Sequence, residues 1–164
     1  MTDDIIDEEL QIGMEQDQEQ KKVLSGEIFE LPITELDLPS AVCLDESSSI
    51  SEALRTMQSK RIGSIIIVKD RKLSGIVTER DILLKVAGLP LDLNKKTVKS
   101  IMTSNPTCLL PTDMIAYVMN NMHVGGYRHV PIVDENNVPL AMVSIKDVMS
   151  FILEYFPEEI QNIT

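Results

Sequence analysis

Residues 75–81 read Gly-Ile-Val-Thr-Glu-Arg-Asp, and residues 141–147 read Ala-Met-Val-Ser-Ile-Lys-Asp. Both stretches place a hydroxyl residue at the end of an apolar run, a basic residue two positions later and an aspartate directly after it. A Ser or Thr three residues before an acidic residue is an ordinary arrangement at a helix N-terminus. The two stretches therefore predict the same strand-to-helix junction twice in one chain.

The duplication extends well beyond these junctions. A shift of 65 residues aligns residues 41–68 with residues 106–133 without a gap. One additional residue in the second copy then raises the offset to 66, so that Asp81 is matched by Asp147. We interpret the pattern as a duplicated unit of about 50 residues.

Each copy is predicted to contain five elements in the order β-α-β-β-α. Apolar residues at i, i+3, i+4 and i+7 predict a helix that buries one face against a sheet, and Ser49 with Glu52 predicts a capping box at the first such helix. Runs rich in Ile and Val are typical of buried strands. The predicted strands are residues 41–44, 64–68 and 73–77 in the first copy, and 107–110, 129–133 and 140–143 in the second.

The predicted fold class is α+β, with tandem repeats that pack through their sheets about a pseudo-twofold axis. One copy alone buries too little apolar surface to form a stable domain. A cleft between packed sheets, with duplicated polar groups at its mouth, is a natural site for a small ligand. The predicted organisation is an acidic tail (1–24), a first repeat (33–88), a connection (89–105) with a short helix near residues 98–102, a second repeat (106–156) and a C-terminal tail (157–164).

The negative charge is concentrated at the N-terminus. The chain of 164 residues has a net charge of −11, but residues 33–152 contain 13 acidic and 13 basic residues, whereas residues 1–20 contain eight acids and no base. The tail is either a solvated terminus or a helix that forms with a partner, since Ile6, Leu10 and Met14 recur at a spacing of four. No basic stripe indicates binding to nucleic acid.

The composition argues against several other classes of protein. The longest aliphatic run, residues 65–68, is too short to cross a membrane, and no secretory signal pattern opens the chain, so a cytoplasmic location is expected. We expect Cys43 and Cys108 to be small core residues, because two cysteines are too few for a disulfide scaffold. Neither a metal site nor an enzyme is predicted, since no nucleophile–base pair, metal-ligand cluster or glycine-rich phosphate loop is visible.

The two junctions suit a ligand as well as a helix cap. A carboxylate at the mouth of a cleft can accept two hydrogen bonds from the cis-diol of a ribose. The hydroxyl group and the free amides of a helix N-terminus suit a phosphate, and Arg80 or Lys146 would offset the phosphate charge. Helix capping alone is the competing interpretation of both junctions.

Together these features resemble a tandem pair of CBS domains (cystathionine β-synthase-type motifs), known as a Bateman module. The resemblance covers residues 33–155 and rests on the β-α-β-β-α order and on GIVTERD, RHVPIVD and VSIKD. It implies a regulatory, non-catalytic module that binds AMP, ADP, ATP or a related adenosyl ligand such as S-adenosylmethionine or NAD. It also implies a homodimer in the form of a four-motif disk, and an output through an unidentified effector protein. The alternative is a dimerising scaffold without a ligand, whose acidic tail recruits a partner.

The resemblance also implies roles for particular residues. Hydroxyl groups near the phosphate would come from Thr78 and Ser144, and the ribose acids would be Asp81 and Asp147. Further contacts are implied for the segments before the second strand of each copy and for backbone beside the adenine, namely Gly63 and Ser64, Arg128 and His129, and Val42 and Thr107.

The implied binding residues differ between the two copies. Arg128 and His129 add positive charge where Gly63 and Ser64 add none, so the two sites are expected to be unequal. Ala141 stands where the family usually has glycine, and its methyl group either crowds a ligand or is harmless. The sequence leaves open which acid–hydroxyl pair completes which cleft.

Overall fold

The computed structural model describes residues 25–156, so the predicted tails (1–24 and 157–164) lie outside the described residues. Three short 3-10 turns occur in this range, and one of them, Val98–Ser100, lies where the connection was predicted to hold a short helix. The strands and helices are β1 (Cys43–Asp45), α1 (Ile50–Lys60), β2 (Ser64–Lys69), β3 (Lys72–Thr78), α2 (Glu79–Lys85), β4 (Thr103–Ser104), α3 (Ile115–Gly125), β5 (His129–Val133), β6 (Pro139–Ser144) and α4 (Ile145–Leu153).

The α+β class is confirmed, but the first strand of the second copy is not formed. In the first copy β1 pairs in parallel with β2, and the amide of Ile66 donates to the carbonyl of Val42. The matching position in the second copy is Pro131, which has no N–H to donate. The predicted strand at 107–110 is therefore wrong, and only a single parallel bridge between Leu109 and Ile132 remains.

Each repeat completes its sheet with a segment that lies before the first helix of the other repeat. Strand β4, which lies in the connection, pairs with β3 of the first repeat through the matched residues Gly75 and Ser104. In the reciprocal position, Ser40 forms an antiparallel bridge with Ala141 on β6 of the second repeat. The two halves are thus joined by exchanged edges.

The apolar core is divided into three clusters that follow this exchange. The core of the first repeat includes Val98 and Ile101 from the connection, and the core of the second includes Ile33 and Leu36 from the segment before β1. A third, smaller cluster lies between the two sheets and contains Ile66, Leu73 and Val133. Strand β2 serves two clusters because successive side chains point to opposite faces, with Ile65 and Ile67 facing the helices.

Gly75 allows the exchanged strand to approach closely. A Cβ atom at this position would lie 2.6 Å from the Sδ atom of Met102 and 2.8 Å from the carbonyl oxygen of Thr103. Ala141 occupies the matching position on β6, where only a single bridge to Ser40 is formed. The glycine of the first repeat is therefore explained by strand packing.

Candidate functional site

Two clefts lie at the junction of the halves and share one border. The Asp147 cleft, lined by residues 39–42, 61–64, 79, 128, 129, 142 and 144–147, has a volume of about 490 Å³. The Asp81 cleft, lined by residues 63, 76, 78–81, 84, 103, 105–107 and 125–129, has a volume of about 620 Å³. Their shared border consists of Gly63, Glu79, Arg128 and His129.

Each aspartate faces the backbone of the other repeat across its cleft. Asp147 shares a cleft with Val42, and Asp81 shares a cleft with Thr107, which answers the pairing that the sequence left open. All the residues predicted to bind a ligand line one cleft or both, and their binding roles stay predictions. The Asp147 cleft contains Val42, Ser64, Ser144, Lys146 and Asp147; the Asp81 cleft contains Thr78, Arg80, Asp81 and Thr107; the border contains Arg128 and His129.

Both strand-to-helix junctions form complete capping boxes. The Oδ2 atom of Asp81 accepts hydrogen bonds from the Thr78 amide at 2.9 Å and from its hydroxyl at 2.7 Å, and the Asp81 amide donates back to Thr78 Oγ1 at 3.3 Å. Ser144 and Asp147 repeat this arrangement at 2.7, 2.6 and 3.4 Å. In each copy the cap uses one carboxylate oxygen, which leaves Oδ1 for another partner.

The predicted capping box at the start of α1 is only half formed. Ser49 accepts a hydrogen bond from the Glu52 amide at 3.1 Å, but within the described residues the Glu52 side chain does not return a bond to Ser49. A glutamate is a common residue at this position of a capping box, so the sequence pattern alone could not reveal this difference.

The second carboxylate oxygen distinguishes the two aspartates. Asp81 Oδ1 accepts a hydrogen bond from Lys85 Nζ at 2.7 Å, and the same ammonium group donates to the carbonyl of Ile101 at 2.6 Å. Burial raises the pKa of Asp81, but the hydrogen bonds from Lys85 and Thr78 outweigh it and hold the pKa below its ordinary value. Asp147 Oδ1 has no hydrogen-bond partner in the described part of the chain.

Fewer free amides are available at the helix starts than the sequence suggested. The amide of Glu79 donates to the carbonyl of Gly63, and the amide of Ile145 donates to the carbonyl of Arg128, both at 3.0 Å. Because the third amide of each helix is bound to the capping hydroxyl, the second amide is the one left for a ligand. This amide belongs to Arg80 in one cleft and to Lys146 in the other.

Two charged residues of the clefts were missed in the sequence. Arg61 lines the Asp147 cleft in a left-handed conformation (φ 53°), and no ion-pair partner for it occurs in residues 25–156. The second repeat has Gly126 (φ 66°) at the matching helix end, where the left-handed conformation favours glycine. An arginine at such a position was the one sequence feature that could have pointed to Arg61. Glu79 was missed because its carboxylate reaches back over Gly63, where an added Cβ would lie 3.0 Å from Oε2.

The border histidine is held in its neutral form. Burial lowers the pKa of His129, and the charge of Arg128 lowers it further. Glu79 and Asp147 act in the opposite direction without reversing the shift. At neutral pH the border therefore presents an uncharged imidazole between the two clefts.

Outside the clefts the described residues offer little chemistry. The prediction of two core cysteines is wrong for Cys43, which is exposed, because alternation on the edge strand β1 turns Leu44 inward instead. Cys108 is half-buried beside the cluster between the sheets, and burial raises the pKa of its thiol. Residues 25–156 contain no group of three or more His, Cys, Asp or Glu placed to hold a metal ion. None of the helices described is both long and apolar enough to cross a membrane.

Of the two alternatives for the Ala141 methyl group, crowding of a ligand or no effect, the structure favours no effect. Neither Ala141 nor its counterpart Gly75 lines a cleft, whereas the next residue of each strand, Met142 or Ile76, does. The alanine therefore lies outside the space that a ligand would occupy.

A β-α-β-β-α unit and a second unit that lacks the first strand exchange edge segments and enclose a pair of clefts, and together they define a tandem-repeat module. The sequence model of the CBS domain matches residues 33–88 and 98–154, and the chain belongs to the CBS-domain family. One of the two strand-to-helix junctions lies within each of these ranges.

Related proteins contain the same repeats within longer chains. The CBS domain-containing protein CBSCBSPB3 of Arabidopsis thaliana is 33% identical over 102 residues, which are 62% of this chain and 18% of that protein. CBSCBSPB5 of the same plant is 33% identical over 124 residues, covering 74% of this chain and 22% of the relative. The chain thus spans about a fifth of the length of these relatives.

Solved structures of CBS-domain pairs share the fold. A CBS domain protein from Pyrobaculum aerophilum complexed with AMP is 28% identical with a TM-score of 0.67, over 76% of this chain and 98% of that chain. The CBS domain pair of protein MJ0100, in complex with 5′-methylthioadenosine and S-adenosyl-L-methionine, is 26% identical with a TM-score of 0.65, over 73% and 94% of the two chains.

Proposed function

We propose that this chain is a regulatory module that binds an adenosyl ligand such as AMP, ADP, ATP or S-adenosylmethionine in the Asp147 cleft. The observation that carries the proposal is the Oδ1 atom of Asp147, which accepts no hydrogen bond from any described residue and lies beside a capped helix start. A carboxylate oxygen has two lone pairs, so this atom can accept both hydroxyl groups of a cis-diol. A ribose is the common sugar that presents such a diol.

The rest of the cleft suits the other parts of such a ligand. Arg61, Arg128 and Lys146 line it, and their positive charges match a phosphate or a chain of phosphates. Val42 and Met142 supply apolar surface for a planar base. The complexes of two similar CBS pairs with AMP, and with 5′-methylthioadenosine and S-adenosyl-L-methionine, support the same class of ligand.

Isothermal titration calorimetry with AMP tests the ribose contact. Asp147→Asn keeps an oxygen for the capping bond from the Ser144 amide but removes the charge. Loss of one charge-assisted hydrogen bond costs about 1.5–3 kcal/mol, so AMP should bind roughly ten- to a hundredfold more weakly. Asp70→Asn is the matched control, because Asp70 is exposed in the β2–β3 turn and lines neither cleft. Equal affinity in all three proteins would refute the ribose role.

We also propose a homodimer formed through α2 and α4. Leu83 on α2 is 68% exposed, and Met149, which matches it in the repeat, is 51% exposed on α4. Leu84, Ile145 and Leu153 add further exposed apolar surface to the same two helices. Apolar surface of this kind indicates a protein contact, and its pseudo-symmetric placement suits a disk of four motifs.

Sedimentation analysis tests the dimer and the scaffold alternative together. Leu83→Lys with Met149→Lys should convert a dimer to a monomer, whereas Lys99→Met should not. A monomeric wild-type chain would refute the dimer. A dimer that binds none of AMP, ADP, ATP and S-adenosylmethionine at millimolar concentration would favour a ligand-free scaffold that acts through an effector protein.

A further inference from the structure

We propose that Lys85 makes the Asp81 cleft a poor ribose site, so that each chain holds one tightly bound ribonucleotide, at Asp147. This inference rests on the proposed function of the Asp147 cleft. Lys85 lines neither cleft and acts only through the carboxylate of Asp81. Lys85 is therefore a positioning residue that sets specificity.

The hydrogen-bond capacity of Asp81 is almost fully used. Its Oδ2 atom already accepts two bonds from Thr78, and its Oδ1 atom accepts one from Lys85 at 2.7 Å. One lone pair of Oδ1 is left, which can accept one hydroxyl of a cis-diol but not both. The Asp81 side chain is also only 11% exposed, which limits its reorientation toward a sugar.

Lys85 is anchored from a second direction. Its ammonium group donates to the carbonyl of Ile101 at 2.6 Å, in the connection that packs on the first repeat. A ligand hydroxyl competing for Asp81 would have to displace an ammonium group held by two acceptors. The ion pair is thus part of the packing between α2 and the connection.

The second repeat has no equivalent cation. Phe151 occupies the position that matches Lys85, is 6% exposed, and stacks edge-on against Tyr155 with ring centroids 5.3 Å apart. Asp147 Oδ1 therefore keeps both lone pairs available, while the other atoms of the two capping boxes match closely. The Oδ1 atoms of the two aspartates thus differ in their surroundings because lysine stands at position 85 and phenylalanine at position 151.

The test counts AMP molecules bound per chain by calorimetry, with 2′-deoxy-AMP as the comparison ligand. The wild-type chain should show one tight site and a second site at least about tenfold weaker. Lys85→Met should strengthen the second site about ten- to a hundredfold for AMP but not for 2′-deoxy-AMP. Adding Asp81→Asn to that variant should remove the gain.

Lys99→Met is the matched control, because Lys99 forms a similar ion pair with Glu46 at 2.8 Å between the connection and the first repeat. It should leave the second site weak. Lys85→Ala, which opens space for water beside Asp81, replaces the Met variant if urea unfolding shows that the latter does not fold.

Three results would overturn the inference while leaving the proposed function intact: two equal AMP sites in the wild-type chain, no gain in a folded Lys85 variant, or the same gain in Lys99→Met. Absence of binding of AMP, ADP, ATP and S-adenosylmethionine to the wild-type chain and to every variant would refute the proposed function, and this inference with it.

Discussion

Replacing Gly75 by alanine should destabilise the pairing of the exchanged strand β4 with β3. The added Cβ would lie 2.8 Å from the carbonyl oxygen of Thr103 on β4, a distance that real Cβ atoms essentially never show. Because that oxygen is backbone, the clash can be relieved only by moving β4 away from β3. The Sδ atom of Met102, at 2.6 Å, has to move as well, but it belongs to a flexible side chain and can shift more easily than backbone.

The expected cost follows from two opposing effects. Overpacking in a close-packed region costs about 1–3 kcal/mol, and the lower entropy of alanine in the unfolded chain returns about 0.4–1 kcal/mol. The middle values of these two ranges give a net loss of about 1.3 kcal/mol. Urea unfolding has a slope of about 1–3 kcal/mol/M in small proteins, so a midpoint lowered by roughly 0.5–1 M is expected.

The reciprocal variant Ala141→Gly provides the control. It opens the matching position on β6, where the partner is a single bridge to Ser40, and should cost only the roughly 0.5–1 kcal/mol typical of glycine in a strand. Because Thr103 lines the Asp81 cleft, Gly75→Ala should also disturb ligand contacts there while sparing the Asp147 cleft. A Gly75→Ala protein as stable as the wild type would refute this account of the glycine.

Three further predictions concern titration and backbone conformation. Burial, and then the neighbouring Arg128, lowers the pKa of His129 in the folded protein, so the free energy of unfolding should decrease as the pH falls from above 6.5 toward this lowered pKa. In urea unfolding at a series of pH values, His129→Gln should remove this pH dependence, whereas His123→Gln, at an exposed position, should keep it. Burial raises the pKa of Asp81 but its hydrogen bonds lower it more, so the stability that the charged Asp81 contributes should be present above pH 3.8 and lost as the pH falls through the pKa of the folded protein. Asp81→Asn should reduce this loss of stability at acid pH, and an unchanged pH dependence there would contradict the lowered pKa of Asp81. Arg61→Gly should remove the strain of a left-handed conformation at a residue with a Cβ atom, since Gly126 adopts that conformation at the matching helix end. The free energy of unfolding should rise by about 0.5–1 kcal/mol, and a lower urea midpoint would contradict this expectation.

Much of the cleft chemistry could be predicted from local patterns. The junctions ending in Thr78 and Ser144 are visible in the sequence because a helix N-terminus needs a side-chain acceptor within a few residues. The repeat then indicated that both junctions belong to one kind of site. The residues singled out in this way all lie along the two clefts.

The errors share a cause, which is dependence on a partner that the sequence does not identify. The strand at 107–110 fails because Pro131, on a different strand, lacks the N–H that Ile66 supplies in the first repeat. Cys43 is exposed because β1 is an edge strand, and its position in the sheet is not a local property. Arg61 and Glu79 enter the clefts only through the way the elements around them pack.

The sequence by itself determined the repeated order of elements except for the strand at 107–110, the apolar faces and the two capped helix starts, because these depend on spacing within a few turns of chain. Only the tertiary structure decided that Asp147 faces the segment around Val42, and that the ammonium group of Lys85, one helical turn after Asp81, also donates to the carbonyl of Ile101. These relations depend on segments far apart in the chain that the exchange of edges brings together. The choice between the two capped aspartates is local by contrast, because Lys85 follows Asp81 at the i,i+4 spacing of a helix and Phe151 stands at the same spacing after Asp147.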